Sequence, residues 1–270
     1  MLSVLIPASN EEGYITACLT ALFASTVQGE AVVIANGCRD QTAARARACE
    51  AMATGAGWTL VVLDLATGGK PNALNAGDAA ASHPTRVYLD ADVIVSPALL
   101  GELESALSRP EATYATGTPR IPRARSAITR AYARFWTRLP FAQSNAPGYG
   151  LFAVNPPGRA RWAEFPAIIS DDTYIRLQFT PDERIQTPAT YDWPMIEGFA
   201  ALTRVRRRQD AGVQEIARLW PALLTREAKA KLTTTRLAKL ALQDPAGFAT
   251  YAAVSLAVRL KRGQGWTRGR

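Results

Sequence analysis

The chain has one histidine and three cysteines among its 270 residues. His83, set before Pro84, cannot build a multi-histidine metal site, and any Ser-His-Asp triad would depend on it alone. Cys18, Cys38 and Cys49 make no paired framework and have no C-x-x-C spacing, so a cytoplasmic setting is expected. No run of 18 apolar residues occurs, so no spanning helix is expected. Met1-Leu2-Ser3-Val4-Leu5-Ile6-Pro7 lacks the basic region and long apolar run of a signal peptide and reads as a strand. Neither G-x-G-x-x-G nor G-x-x-x-x-G-K-[ST] is present, which removes the main support for a dinucleotide site or a P-loop. Acid is scarce towards the C-terminus. Residues 204–270 hold 15 Lys/Arg and 4 Asp/Glu, whereas residues 1–203 hold 16 and 19. The resulting +11 against −3 makes up the net +8 and suggests that the tail meets something anionic.

What is present is an ordinary globular composition, 48% apolar and 20% charged. Apolar, β-branched runs at residues 4–6, 31–35, 60–65 and 87–89 read as strands. Between them, Ile15, Cys18, Leu19, Leu22 and Phe23 mark one helical face. Residues 43–52 and 72–81 also read as helices, and Ser96-Pro97 as a helix start with Ser96 at the N-cap. Such alternation predicts an α/β fold, a mostly parallel sheet with helices on both faces and its ligand site beyond the strands' carboxyl ends. Further on, a strand is expected over 113–118, a helix over 128–139, a strand over 149–154 and a helix over 172–179. Residues 181–194 read as loop with short extended pieces. From Glu197 onward the chain reads as helical, including 227–242 and 248–260.

The strand-end loops carry the chemistry. Pro7-Ala8-Ser9-Asn10-Glu11-Glu12 admits a flat ligand close to the backbone, although Ser9 or Asn10 could instead cap the next helix. In Ala35-Asn36-Gly37-Cys38-Arg39-Asp40, Asn-Gly signals a turn and Asp40 a cap. Gly68-Gly69-Lys70 places a lysine beside a helix N-terminus, where it suits phosphate. Val87-Tyr88-Leu89-Asp90-Ala91-Asp92 runs a strand into two carboxylates. In an extended chain both would face one site, and their mutual repulsion invites a hard cation, Mg²⁺ or Mn²⁺. Asp171-Asp172 offers a helix cap and one general base. Arg204-Val205-Arg206-Arg207-Arg208 could clamp a diphosphate or simply be solvated.

Taken in order, these motifs, with Gly148-Tyr149-Gly150-Leu151-Phe152-Ala153-Val154, resemble the family-2 glycosyltransferases of the GT-A fold over roughly residues 2–210. The resemblance implies inverting, metal-dependent transfer of a sugar from a nucleotide-diphosphate donor to an acceptor hydroxyl in polysaccharide or glycolipid synthesis. It implies a catalytic domain over 1–210 (a nucleotide-sugar half, 1–109, and an acceptor half, 110–210) and a basic helical extension over 211–270. By the same resemblance, Pro7, Ala8, Glu11, Ala35, Lys70, Asp90 and Arg207 bind the donor, Asp92 with Asp90 the metal. Gly148, Tyr149, Gly150 and Asp171 meet the acceptor, and Asp172 is the base. The family often has aspartate where Ala35 stands, and the tryptophan of its last motif is replaced by Arg208.

Partners implied are the sugar nucleotide and a saccharide or lipid-linked acceptor. A nucleotidyltransferase and a non-catalytic sugar-nucleotide-binding protein are the competing readings. Nucleic acid is not expected, because it would explain the arginines and not the strand-end acids. In the tail, Phe248, Tyr251, Val254 and Val258 lie along an apolar helix ending in Arg259, followed by Lys261, Arg262, Trp266, Arg268 and Arg270. Either this stripe packs on the domain or it makes a peripheral contact with the inner face of a membrane. Arg130, Arg134 and Arg138 form a second basic line, either on the acceptor side or merely exposed.

Overall fold

The computed structural model describes residues 1–143 and 146–260; Lys261, Arg262, Trp266, Arg268 and Arg270 lie outside the described residues. Eight strands form one sheet: β1 (Leu2–Ala8), β2 (Glu30–Asn36), β3 (Thr59–Leu65), β4 (Thr85–Leu89), β5 (Ile94–Val95), β6 (Tyr114–Arg120), β7 (Leu151–Val154) and β8 (Arg184–Asp192). Their order is β3-β2-β1-β4-β7-β6-β8-β5. β1 pairs in parallel with β2 on one side and β4 on the other. β2 and β3 are parallel, as are β6 and β8, while β7 runs antiparallel to β4 and β6. The chain therefore reverses its direction of travel across the sheet at β1, and a crevice opens where the carboxyl ends of β1, β2 and β4 meet.

Two apolar layers hold the sheet. One face carries Ile15, Cys18, Leu19, Leu22 and Phe23 of the helix Ile15–Phe23, with Leu99, Leu100 and Leu103 of Leu99–Leu107. The other carries Leu74, Tyr88, Tyr114, Phe152 and Phe179. Every residue of β1 except Pro7, and every residue of β2, is buried. The expected mostly parallel α/β fold, covered on both faces, is what the chain forms.

Several expectations need correction. The helix over 43–52 is two short helices, Thr42–Arg47 and Glu50–Gly55. The Cys49 amide donates to Ala46 O, tightening the turn so that Ala46, Cys49 and Ala53 all stay buried. Ser96 is not an N-cap. Its amide pairs with Thr190 O, and the helix begins at Leu99. Residues 184–192 form β8 rather than loop; a register shift between Thr116 and Thr118 accommodates Pro188, which has no N–H to give a ladder. Residues 227–233 are not helical; the helix there is Thr234–Gln243. The expected boundary at 210/211 falls inside the continuous helix Phe199–Leu219.

The last helix, Pro245–Leu260, packs on Ala127–Trp136. Arg134 grips Asp244 with two hydrogen bonds of 2.7 and 2.8 Å, and Asp244 also accepts the Gly247 amide. Those bonds, Arg134's first, hold the Asp244 carboxyl below the usual range. Arg130 donates to Ala124 O and Arg125 O. Neither Arg130 nor Arg134 is a free acceptor-side cation. Phe248, Tyr251, Val254 and Val258 all turn inward against Tyr132, Phe135 and Leu202. Among the described residues no helix is long and apolar enough to cross a membrane.

Candidate active site

The crevice at the strand ends is a cleft of about 420 Å³, lined by Pro7, Ser9, Asn10 and Glu11 after β1 and by Asn36 at the end of β2. Ala8 does not reach it. Strand side chains alternate, so Pro7 and Ser9 face the cleft while Ala8 packs into the core. Ala35 is likewise fully buried opposite Ala8. Asn10 takes a positive φ of 60° and accepts the Arg39 amide at 2.8 Å instead of capping the following helix. Asp40 joins the first two loops. It accepts the Thr42 amide and hydroxyl and the Glu12 amide, and despite burial these bonds hold its carboxyl below the usual range.

Asn36, in sequence only the first half of an Asn-Gly turn signal, lines the cleft. Its amide donates to Ala8 O at 2.9 Å, and its Oδ1 accepts the Gly69 amide at 3.0 Å. That bond fixes Gly69, whose φ of 133° suits only glycine, and with it the start of the helix Lys70–Ala80. The helix is anchored further along by Asp78, which accepts the Tyr88 hydroxyl at 2.9 Å and pairs with Arg86 and Arg159.

Lys70 opens that helix and lies between two acids. Its ammonium is 2.8 Å from Asp90 Oδ1 and 3.3 Å from Asp171 Oδ2. Burial opposes its charge, but Asp171, Asp90 and Asp172 together hold it well above the ordinary lysine range. Asp171 is 5% exposed. Burial pushes its carboxyl up, Lys70 opposes, and Asp172 and Asp90 add to the rise.

Asp90 and Asp92 both line the cleft, but strand alternation is not the cause. β4 ends at Leu89, and residues 90–93 close a turn in which the Val93 amide donates to Asp90 O. The Asp90 amide donates to Gly150 O, tying this turn to the Gly148–Gly150 loop. Lys70 holds Asp90 Oδ1, and the cleft that Asp90 and Asp92 both line is where a cation could sit. No cluster of three or more His, Cys, Asp or Glu residues suited to a metal occurs among the described residues. One carboxylate with phosphate oxygens and water is nonetheless a donor set that Mg²⁺ and Mn²⁺ accept, so the residues fit such an ion when a diphosphate shares it.

A second recess joins Lys70 and Asp90 to Gly148, Gly150, Asp171 and Asp172. Asp172 is half-buried at the first turn of Asp171–Arg176. Gly148 and Gly150 have φ of 70° and 66°. A Cβ on Gly148 would fall on the Tyr114 hydroxyl, and one on Gly150 would lie 2.8 Å from the Trp193 ring. Tyr149 lines neither recess directly. Its ring stacks on Trp193 at 5.2 Å, and its hydroxyl donates to Phe141 O at 3.4 Å.

The opposite wall of the cleft comes from side chains outside the strand-end motifs: Tyr132, Trp136, Trp193, Met195, Ile196, Leu202 and Val205. Arg206 and Arg208 line the cleft, while Arg207 does not and reaches Ala257 O at 3.5 Å. A helix turns about 100° per residue, so the stripe of Leu202, Val205, Arg206 and Gln209 leaves Arg207 on the far side. That i, i+3, i+4, i+7 pattern was available in the sequence. Two polar groups in the cleft, the Ser9 hydroxyl and Arg208 Nε, are buried without a hydrogen-bond partner in the protein.

Residues 3–160 match the family described as Glycosyl transferase family 2. No curated protein matches the chain. Similar solved structures include a mannosyltransferase from Pyrobaculum calidifontis in complex with GDP-Man and Mn²⁺, at 20% identity and a TM-score of 0.58, covering 97% of this chain and 76% of that one. Staphylococcus aureus TarS residues 1–349 with UDP-GlcNAc match at 12% identity and 0.53, covering 96% and 91%. Glucosyl-3-phosphoglycerate synthase from Mycobacterium tuberculosis with Mn²⁺ and UDP-glucose matches at 19% and 0.52, covering 80% and 78%. At these identities the likeness is one of fold.

Proposed function

The chain belongs to glycosyl transferase family 2, and from that premise we propose that it moves a sugar from a nucleoside-diphosphate donor to an acceptor hydroxyl with inversion. The observation that carries this reading is the meeting of Asp92, Lys70, Arg206 and Arg208 in one cleft, with Asp172 beside Lys70 in the adjoining recess. Solved neighbours bind nucleotide sugars, two of them with Mn²⁺.

The donor's nucleoside would lie along Pro7, Ser9 and Glu11, with Asp90 towards its ribose and the diphosphate between Asp92 and the arginines. Breaking the sugar–phosphate bond leaves negative charge on the departing oxygen, and fixed cations in a half-dry cleft stabilise that charge. A Mg²⁺ or Mn²⁺ held by Asp92 would supply further neutralisation of the diphosphate. Arg206, whose Nε is bonded to Asp210 at 2.9 Å, and Arg208, whose buried Nε has no partner in the protein, both line the cleft and would pair with the phosphate oxygens. On the acceptor side, Asp172 takes the hydroxyl proton as the acceptor oxygen attacks, while Asp171 and Gly148–Gly150 shape the recess. General-base assistance of this kind is typically worth about 10²–10⁴-fold in rate. Direct displacement by an activated acceptor inverts the anomeric centre.

Thermal unfolding with UDP, GDP, ADP, CDP and dTDP, each with and without Mn²⁺, tests the donor half, because a ligand that binds only the native state raises the midpoint by mass action. One of them should stabilise the protein, and more strongly with the ion. No shift with any nucleoside diphosphate would overturn the reading.

A further inference from the structure

The helix Pro245–Leu260 is apolar on more than the face it buries. Phe248, Tyr251, Val254 and Val258 pack inward. On the other side Ala246, Ala249, Ala253, Leu256 and Leu260, spaced 3, 4, 3 and 4 residues apart, are all exposed. Leu256 is 58% and Leu260 75% exposed, and Leu242 on the preceding helix is 83% exposed. These are three of the four strongly exposed leucines among the described residues. A helix apolar all round that is covered on one side only has a second surface to cover.

The charge around this face selects the occupant. Residues 234–260 contain one acid, Asp244, and it is buried and paired with Arg134. Arg236, Lys239 and Arg259 are exposed on the same two helices. In sequence Leu260 runs directly into Lys261-Arg262, and residues 204–270 carry +11 overall. A second copy of the chain would bring two such basic segments together. An anionic lipid surface offers the opposite charge and an apolar layer for the leucines. We propose that the Leu256–Leu260 face, with Leu242, docks the protein onto an anionic bilayer.

Its position gives the contact a consequence. The helix's inward face shares one apolar cluster with Tyr132, Trp136, Met195, Ile196 and Leu202, and those side chains line the cleft. The cleft wall is thus about one helix diameter, roughly 10–12 Å, from the docking face. Docking needs neither donor nor catalysis, so it stands or falls apart from the transferase reading.

The test is flotation of the full chain with vesicles of phosphatidylcholine alone and of equal parts phosphatidylcholine and phosphatidylglycerol, at low and high salt. Binding is expected on the anionic vesicles only, weakened by salt. The L256S/L260S variant, whose unfolding midpoint should match the parent because both side chains are exposed, should bind about tenfold or more weakly. L242S separately should weaken binding by a smaller factor. Three results overturn the proposal: no binding to anionic vesicles, equal binding by parent and L256S/L260S, or a parent dimer in sedimentation that L256S/L260S abolishes without lipid binding.

Discussion

Asp171 lies 3.3 Å from the ammonium of Lys70, and through that lysine the acidic pair of the second half of the chain is linked to Asp90 at the end of β4. Acids from the end of β4 and from the start of the helix Asp171–Arg176 are thereby held around a single cation. Asp171 is the member turned inward, at 5% exposure, which leaves Asp172 as the half-buried carboxylate facing the recess.

Asp172→Asn should keep donor binding and lose transfer. The expected drop in turnover is about 10²–10⁴-fold, with the nucleoside-diphosphate thermal shift unchanged. Initial-rate measurements decide it, and wild-type turnover in the variant would remove Asp172 from the mechanism.

Asp92→Asn and Asp90→Asn should behave differently. Asp92 faces the cleft as the candidate cation ligand, so its loss should erase the Mn²⁺-dependent part of the diphosphate-induced stabilisation. Asp90 also holds Lys70 at 2.8 Å, so its loss should lower the unfolding midpoint before any ligand is added. A metal-dependent shift that survives in Asp92→Asn would place the ion elsewhere. Chelation by EDTA should reduce transfer in the parent.

Arg208→Ala should weaken nucleoside-diphosphate affinity about tenfold, the worth of one charge-assisted contact. Arg207→Ala should leave it within about twofold, because that side chain turns away to Ala257 O. Isothermal titration gives both numbers, and the reverse order would mean that the helix presents its other face to the ligand.

Gly148→Ala should destabilise the protein by about 2–4 kcal/mol. The new Cβ would meet the buried Tyr114 hydroxyl at a backbone φ of 70°. Adding Tyr114→Phe should recover part of the loss, as read by chemical unfolding. The strain from positive φ should remain.

Acid stability should depend on Glu183. Its bonds to Arg161, and to the Thr180 amide against some burial, hold its carboxyl at about 2, below the ordinary glutamate value of 4.5. A depressed folded-state value gives stability that is present above the unfolded value and lost as pH falls towards the folded one. Unfolding free energy should therefore fall between about pH 4.5 and 2, and Glu183→Gln should flatten that decline. A pH series of urea unfolding curves measures both.

Much of the first half was legible because its signals are local. The β-branched runs of β1 to β4, the Ile15–Phe23 stripe and the punctuation at Pro7, Asn36-Gly37 and Gly68-Gly69 each act within a few residues. The same locality explains the errors. Ala8 and Ala35 stand in motif positions but face the core, since each strand shows only alternate residues to the cleft. β8 was hidden by Pro188, whose missing N–H falls where residues 187–189 of β8 bulge opposite Gly117 of β6. Trp136, Trp193 and Met195 have no motif at all, and they line the cleft because two segments distant in the chain converge there.

Composition, periodicity and turn chemistry, acting between near neighbours, determined that this chain would form an α/β sheet with acids, a lysine and glycines at its strand ends. Only the tertiary structure decided which of those groups meet. Lys70 between Asp90 and Asp171, Arg208 rather than Arg207 in the cleft, and an apolar helix face left open to solvent all depend on contacts between residues distant in the chain. Such contacts are set by the packing of whole elements, which local preference does not encode.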